Sequence, residues 1–179
     1  MGAAPVRLIS EKEFLSHPAY EKCEYIDGHV VGRNVGNKLH SIAQLNCGAL
    51  LLSYIRRHRV GHAGTELRCR VKIGGRFRFY QPDVCVVLDL SPPDSSFLDR
   101  APDLAVEVRS PDDSIAGILD KMRHYFANGS RLGWVLLPEE KSVLVLTPNQ
   151  PPRTASGRGT LDGGKVLPGL RIRVDKLFS

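Results

Sequence analysis

A glutamate sits in the middle of an apolar run. Leu104-Ala105-Val106-Glu107-Val108 has the hydrophobic character of a strand covered on both faces. A carboxylate in such a strand costs on the order of several kcal/mol unless a cation or a set of donors meets it. A second acid, Asp83, opens a similar run in Tyr80-Gln81-Pro82-Asp83-Val84-Cys85-Val86-Val87. A Pro/Ser/Asp-rich loop, 91–102, separates the two runs, so they can return beside one another as neighbouring strands. Neighbouring strands lie about 4.8 Å apart, which lets both side chains reach one ion. Any fold for this chain must bury these two acids and supply positive charge to them.

The rest of the pattern is mixed. Ser10-Glu11-Lys12-Glu13 is a capping box and predicts a short helix ending before Pro18. Residues 24–26 and 29–31 flank Asp27-Gly28, the signature of a β-hairpin. Residues 37–58 carry Leu39, Ile42, Ala43, Asn46, Ala49, Leu50 and Ser53 on one helical stripe. That helix ends in the basic cluster Arg56, Arg57, His58 and Arg59, which suits a helix C-terminus as well as it suits a ligand. Strands are predicted over 67–73, over 77–80 after a Gly74-Gly75 turn, and over 83–88, 104–108, 132–137, 142–146 and 170–174. Ser110-Pro111-Asp112-Asp113 has the make-up of a helix start, with Ser110 as N-cap. Ile115, Ile118, Leu119, Met122, Tyr125 and Phe126 then keep helical spacing up to Asn128-Gly129. Residues 147–165, rich in Pro, Gly, Thr and Arg, predict an irregular excursion. The order is that of one mixed α/β or α+β domain over residues 1–179, with 1–9 and about 148–165 expected as flexible segments.

Composition narrows the function. A net charge of +6 and a pI of about 9.3 favour a polyanionic partner. No apolar run approaches the roughly 18 residues of a membrane span, and the N-terminus lacks the apolar stretch of a signal peptide. Cys23, Cys47, Cys69 and Cys85 are scattered without a CxxC pair. Reduced thiols in a cytoplasmic protein are the expectation, with no zinc site.

Asp83 and Glu107 together suit a hard divalent cation, which takes a few carboxylates plus waters and can activate one of those waters. Glu24, at the border of the first hairpin, would complete the ligand set. Arg109 shares strand parity with Glu107, so both side chains are expected on one face. Lys121 flanks the buried stripe of its helix and can point back over the sheet. His40, near the start of the second helix, is a candidate for the cleft. Arg68, Arg70, Lys72, Arg76 and Arg78 alternate along two predicted strands, and we expect a basic ribbon that could contact phosphates. Structural readings stand beside each of these. Asp83 suits a turn after Pro82, Glu107 a buried ion pair with Arg109 or Lys121, and Lys121 a snorkelling helix flank. Glu24 and the ribbon suit a solvated surface, and a lone histidine is more often structural.

Gln81-Pro82-Asp83 followed by Glu107-Val108-Arg109 resembles the PD-(D/E)xK nuclease superfamily. Within it the chain is similar to the Uma-two family of restriction-endonuclease-like proteins. The similarity is carried by Tyr25-Ile26-Asp27-Gly28 with His40, Pro82-Asp83-Val84, and residues 102–111. It continues through Lys121-Met122, Tyr125, Asn128-Gly129, Leu132-Gly133-Trp134-Val135-Leu136 and Leu167-Pro168-Gly169-Leu170. The resemblance implies a central mixed β-sheet flanked by helices, with a metal site at a strand fork. It also implies Mg²⁺, for which Mn²⁺ can substitute, held by Asp83 and Glu107 with Glu24 as a third acid. The superfamily's lysine, two residues after the glutamate, is Arg109 here, and Lys121 matches a lysine of the family that can take over its role. The expected activity is hydrolysis of DNA phosphodiesters by a homodimeric endonuclease. A non-catalytic nucleic-acid-binding module and a purely structural domain are the alternatives.

Overall fold

The computed structural model describes residues 7–34, 36–90 and 97–179. Three α-helices are present among them: α1 (Glu11–Ser16), α2 (Lys38–His58) and α3 (Ile115–Ala127). The strands are β1 (Cys23–Ile26), β2 (His29–Gly32), β3 (His62–Thr65), β4 (Cys69–Ile73), β5 (Arg76–Tyr80) and β6 (Val84–Val87). They continue with β7 (Leu104–Val108), β8 (Leu132–Leu137), β9 (Ser142–Leu146), β10 (Arg153–Ser156), β11 (Thr160–Gly163) and β12 (Leu167–Arg173). Short 3₁₀ turns cover Pro18–Tyr20 and Val174–Leu177.

Six strands form the main sheet in the order β10-β9-β8-β7-β6-β3. Only β7 and β8 run parallel, because α3 carries the chain back between them; the other pairings are antiparallel. Alternation along β7 splits its residues between two cores. Leu104, Val106 and Val108 pack with Ala43, Cys47, Leu51 and Ile55 of α2, and with β12 beyond. Ala105 faces the other side, where Ile118, Met122 and Tyr125 of α3 pack. Glu107 has the parity of Ala105 and so faces α3.

A second sheet, β2-β1-β5-β4, closes over α3. Cys69, Val71 and Tyr80 join the α3 core from that side, while Phe14 of α1 packs with Tyr25 and Phe79 on the other. The Asp27-Gly28 hairpin forms as expected, both residues taking the left-handed φ that this two-residue turn requires.

Three expectations change. α3 begins at Ile115, with Ser114 as its N-cap accepting from Gly117 N–H at 3.0 Å. Ser110-Pro111-Asp112-Asp113 is instead a closed turn, since Asp113 N–H reaches Ser110 O and Asp113 Oδ2 takes Ser110 N–H. The stretch expected to be irregular, 147–165, carries β10 and β11, the first of which extends the main sheet. Of the expected N-terminal flexible segment, residues 1–6 lie outside the described residues. The basic ribbon is not one face. Gly74-Gly75 is a two-residue turn, so Ile73 pairs with Arg76 and Lys72 with Phe77. Arg70 and Lys72 then share a face with Phe77 and Phe79, while Arg76 and Arg78 lie on the opposite face with Val71.

Replacing Ser114 by alanine removes the cap of α3 and should lower unfolding free energy by about 1 kcal/mol. Urea unfolding followed by the fluorescence of Trp134, the chain's single tryptophan, measures it.

Candidate active site

The ladder between β6 and β7 stops at Val84 and Val106. Arg109 N–H bonds to Leu136 O of β8, so the N–H of Val108 points the other way, to where β6 has ended. Asp83 Oδ2 takes that N–H at 2.7 Å in place of a strand carbonyl. The two strands part here, and Asp83 and Glu107 stand on the same side of the fork. An open cleft of about 330 Å³ lies over them, lined also by Glu24, Arg33, His40 and Lys121.

Lys121 reaches into this cleft from α3. Its Nζ is 2.5 Å from Glu24 Oε1 and 3.0 Å from Glu107 Oε1, above the face of the Tyr80 ring. Tyr125, one helical turn on, donates its hydroxyl to Glu107 Oε1 at 2.8 Å. Glu24 also accepts Gln81 N–H at 3.2 Å, which ties β1 to the chain just before Asp83. Asp83 receives Arg33 Nη2 at 2.5 Å on Oδ1, and His40 Nε2 lies 3.5 Å from Oδ2. Gln44, one turn beyond His40, donates to the Asp83 carbonyl at 3.1 Å. His40 itself is set by Asn37, the N-cap of α2, and lies under Gly36, where a Cβ would come within 2.6 Å of the imidazole.

The two acids differ in charge state. Burial pushes Glu107 up to about 7; Lys121 opposes this, and the charges of Asp83 and Glu24 add to it. Burial also presses on Asp83, but His40, the Val108 N–H and Arg33 outweigh it and hold that carboxyl below its usual range. Burial pulls the Lys121 ammonium down, and Glu107 and Glu24 more than reverse this. The Lys121 and Glu107 shifts have a common physical sense. One ammonium faced by two carboxylates stays charged, and it cannot fully neutralise both, so Glu107 keeps part of its proton near neutral pH. His40 is raised by its hydrogen bond to Asp83.

The structure therefore brings together five expected residues: Glu24, His40, Asp83, Glu107 and Lys121. Arg109 is not among them. Its Nη1 pairs with Glu140 at 2.9 Å and its side chain does not line the cleft, because β7 ends at Val108 and the chain turns there. The ribbon residues are engaged elsewhere. Arg70 forks onto Asp99, Arg78 onto Asp27, and Arg68 donates to the carbonyls of Tyr20 and Glu21, while Lys72 lies near the Phe77 ring. Arg76 is exposed. Arg33 and Gln44 had no part in the sequence expectations, and Tyr125 counted only as part of a helical stripe and a family motif. Its spacing of four from Lys121 was a usable signal.

Among the described residues no group of three His, Cys, Asp or Glu side chains is spaced to hold a metal ion. The donor set nonetheless fits a hard cation that keeps most of its waters, since two carboxylates on one side of the fork are enough for such an ion. Burial is the main reason Glu107 is raised, and the charges of Asp83 and Glu24 add to it, so a further positive charge there would be met favourably.

The strand fork, with its two acids and the lysine from the following helix, sits in a mixed α+β fold that is nuclease-like. Comparison with known proteins agrees. The Uma2 family model, described as "Putative restriction endonuclease", matches residues 12–175, and the chain belongs to that family. The chain is also similar to the crystal structure of "a putative nuclease belonging to DUF820" from Anabaena variabilis. The two are 26% identical with a TM-score of 0.82, over 95% of this chain and 97% of that one. No curated protein matches.

Glu107 gives a pH test. Its folded pKa lies above that of an unfolded glutamate, so its contribution to stability is fully present below about pH 4.5 and is lost as pH rises through about 7. Glu107→Gln has no such group. Its unfolding free energy should therefore gain on that of the wild type between pH 4.5 and 7, as measured by urea titrations at several pH values.

Proposed function

We propose that this protein is a Mg²⁺-dependent endonuclease that hydrolyses phosphodiester bonds of DNA. The observation that carries the reading is Lys121, largely covered in an open cleft between Glu24 and Glu107 that Asp83 also lines. Asp83 and Glu107 would hold the ion, with Glu24 behind them. Bound there, a divalent cation supplies a polarised phosphate and an acidified water.

The chain's own groups supply the rest. Lys121 orients the attacking water and meets charge that develops on the phosphate oxygens. Tyr125 and Lys121 fix the orientation of the Glu107 carboxylate. His40 and the Val108 N–H do the same for Asp83. Hydrolysis forms one P–O bond from water and breaks one P–O bond to the sugar oxygen, and the water proton ends on that leaving oxygen. The net charge of +6 suits a polyanionic substrate. Cutting both strands of a duplex calls for two such clefts, which a homodimer would supply. No helix among the described residues is long and apolar enough to cross a membrane, and the four cysteines are free thiols, as a reducing cytoplasm would keep them.

Plasmid nicking with Mg²⁺ or Mn²⁺ is the test. Asp83→Asn and Glu107→Gln should each slow nicking by about a thousandfold or more, and Lys121→Gln by about a hundredfold. Arg109→Ala, whose side chain is turned to Glu140, should stay close to wild type. Wild-type protein that binds DNA but never cuts it would leave a binding module in place of a nuclease.

A further inference from the structure

Arg33 enters the cleft just after β2. Its Nη2 donates to Asp83 Oδ1, and its Nη1 lies 3.6 Å from Glu66 Oε1. That is one hydrogen bond, among the described residues, from a planar group with five donor hydrogens. A carboxylate commonly takes arginine through two parallel bonds. Here the second oxygen of Asp83 is already taken by Val108 N–H and faces His40, so the guanidinium meets Asp83 through Oδ1 alone. The remaining donors are available to another oxyanion. The neighbouring Asn34 donates to Asp113 Oδ1 at 2.6 Å, which ties the backbone beside Arg33 to the turn before α3. That tie does not involve the Arg33 side chain, so a change of partner by the guanidinium need not move its Cα from the rim.

Lys121 is held at 2.5 and 3.0 Å by two well-covered carboxylates from two strands, whereas the second carboxylate near Arg33, Glu66, is half-exposed and 3.6 Å away. Of the two cleft cations, Arg33 has the looser second contact and the geometry that matches a phosphate. It also covers the oxygen of Asp83 that a metal ion would need. We propose that Arg33 and a divalent cation compete for Oδ1 of Asp83, and that the displaced guanidinium clamps the phosphate to be cut. This rests on the nuclease reading above. The two halves of the proposal are linked by charge, because arrival of a divalent cation beside Asp83 removes the reason for Arg33 to stay there and creates a reason for a phosphate to enter.

The test uses Mn²⁺ alone as the probe for binding, read by the loss of the free-ion paramagnetic resonance signal. Plasmid nicking at saturating Mn²⁺ is the second readout. Arg33→Gln should bind Mn²⁺ at least about tenfold more tightly than wild type, because the competitor is gone. It should nick at least about a hundredfold more slowly, because the clamp is gone. Arg33→Lys keeps the competing charge without the planar fork, so it should bind Mn²⁺ near the wild-type affinity and still nick slowly. If wild-type protein binds Mn²⁺ and nicks while Arg33→Gln matches it in both, the Arg33 assignment fails and the nuclease reading stands. If neither protein binds Mn²⁺ or nicks, both fail. If Arg33→Gln takes up Mn²⁺ and wild type does not, the competition stands and the nuclease reading fails for the natural chain. Should Arg33→Gln not fold, Arg33→Lys decides, and nicking by it at the wild-type rate overturns the clamp.

Discussion

One ammonium held between two carboxylates ties the molecule together. Lys121 comes from α3, Glu24 from β1 and Glu107 from β7, so their contacts link the main sheet, the smaller sheet and the helix between them. Each ion gives up hydration worth on the order of several kcal/mol. Apolar side chains of the same volume would close the same space without that loss, as Met122 does one residue away in α3. A cluster of this kind is weak evidence for stability and better evidence for a site retained for its chemistry. Its surroundings point the same way. Tyr125, Gln81, Gln44 and Asn37 each spend a hydrogen bond on orienting an acid, its backbone or the helix that carries His40.

The acids were legible in the sequence because burial and charge conflict locally. Glu107 lies within five residues whose apolar character announces a strand, and no surface placement is open to it. Lys121 was legible by helical spacing, since Ile118 and Tyr125 fix the buried face that it borders. The extent of the long helix was legible but its buried face was not: of the expected stripe only Ala43 is buried, with His40, Cys47, Leu51 and Ile55, while Leu39, Ala49 and Ser53 are exposed. Fold class followed from the order of these patterns.

What was not legible depends on where elements end. Arg109 shares parity with Glu107 only while β7 continues, and β7 stops between them at Val108. The basic ribbon required a turn length: with two residues at Gly74-Gly75, residues whose numbers sum to the same value pair, so even positions before the turn face odd positions after it. Ser110 has the composition of a cap, but Asp113 bonds back to it and closes a turn first, which leaves Ser114 to cap α3. Arg33 carries no local signal at all. It follows a hairpin, and its partner lies fifty residues on in a different sheet.

The formal charge of the cleft sets an order of events. Glu24, Asp83 and Glu107, with Asp112 and Asp113 also lining the cleft, oppose Arg33 and Lys121, which leaves it formally negative over a low-dielectric floor of buried strand. A phosphodiester approaching that floor is repelled, and a divalent cation is drawn in. On the reading proposed above, a cation bound there would offset most of that charge, favour loss of the remaining Glu107 proton and lower the barrier to a phosphate. The overall charge of +6 acts at longer range, bringing a polyanion to the surface whatever the state of the cleft. On that reading nucleic acid would be gathered without metal, while entry of its backbone between Lys121 and Arg33 would wait on the ion.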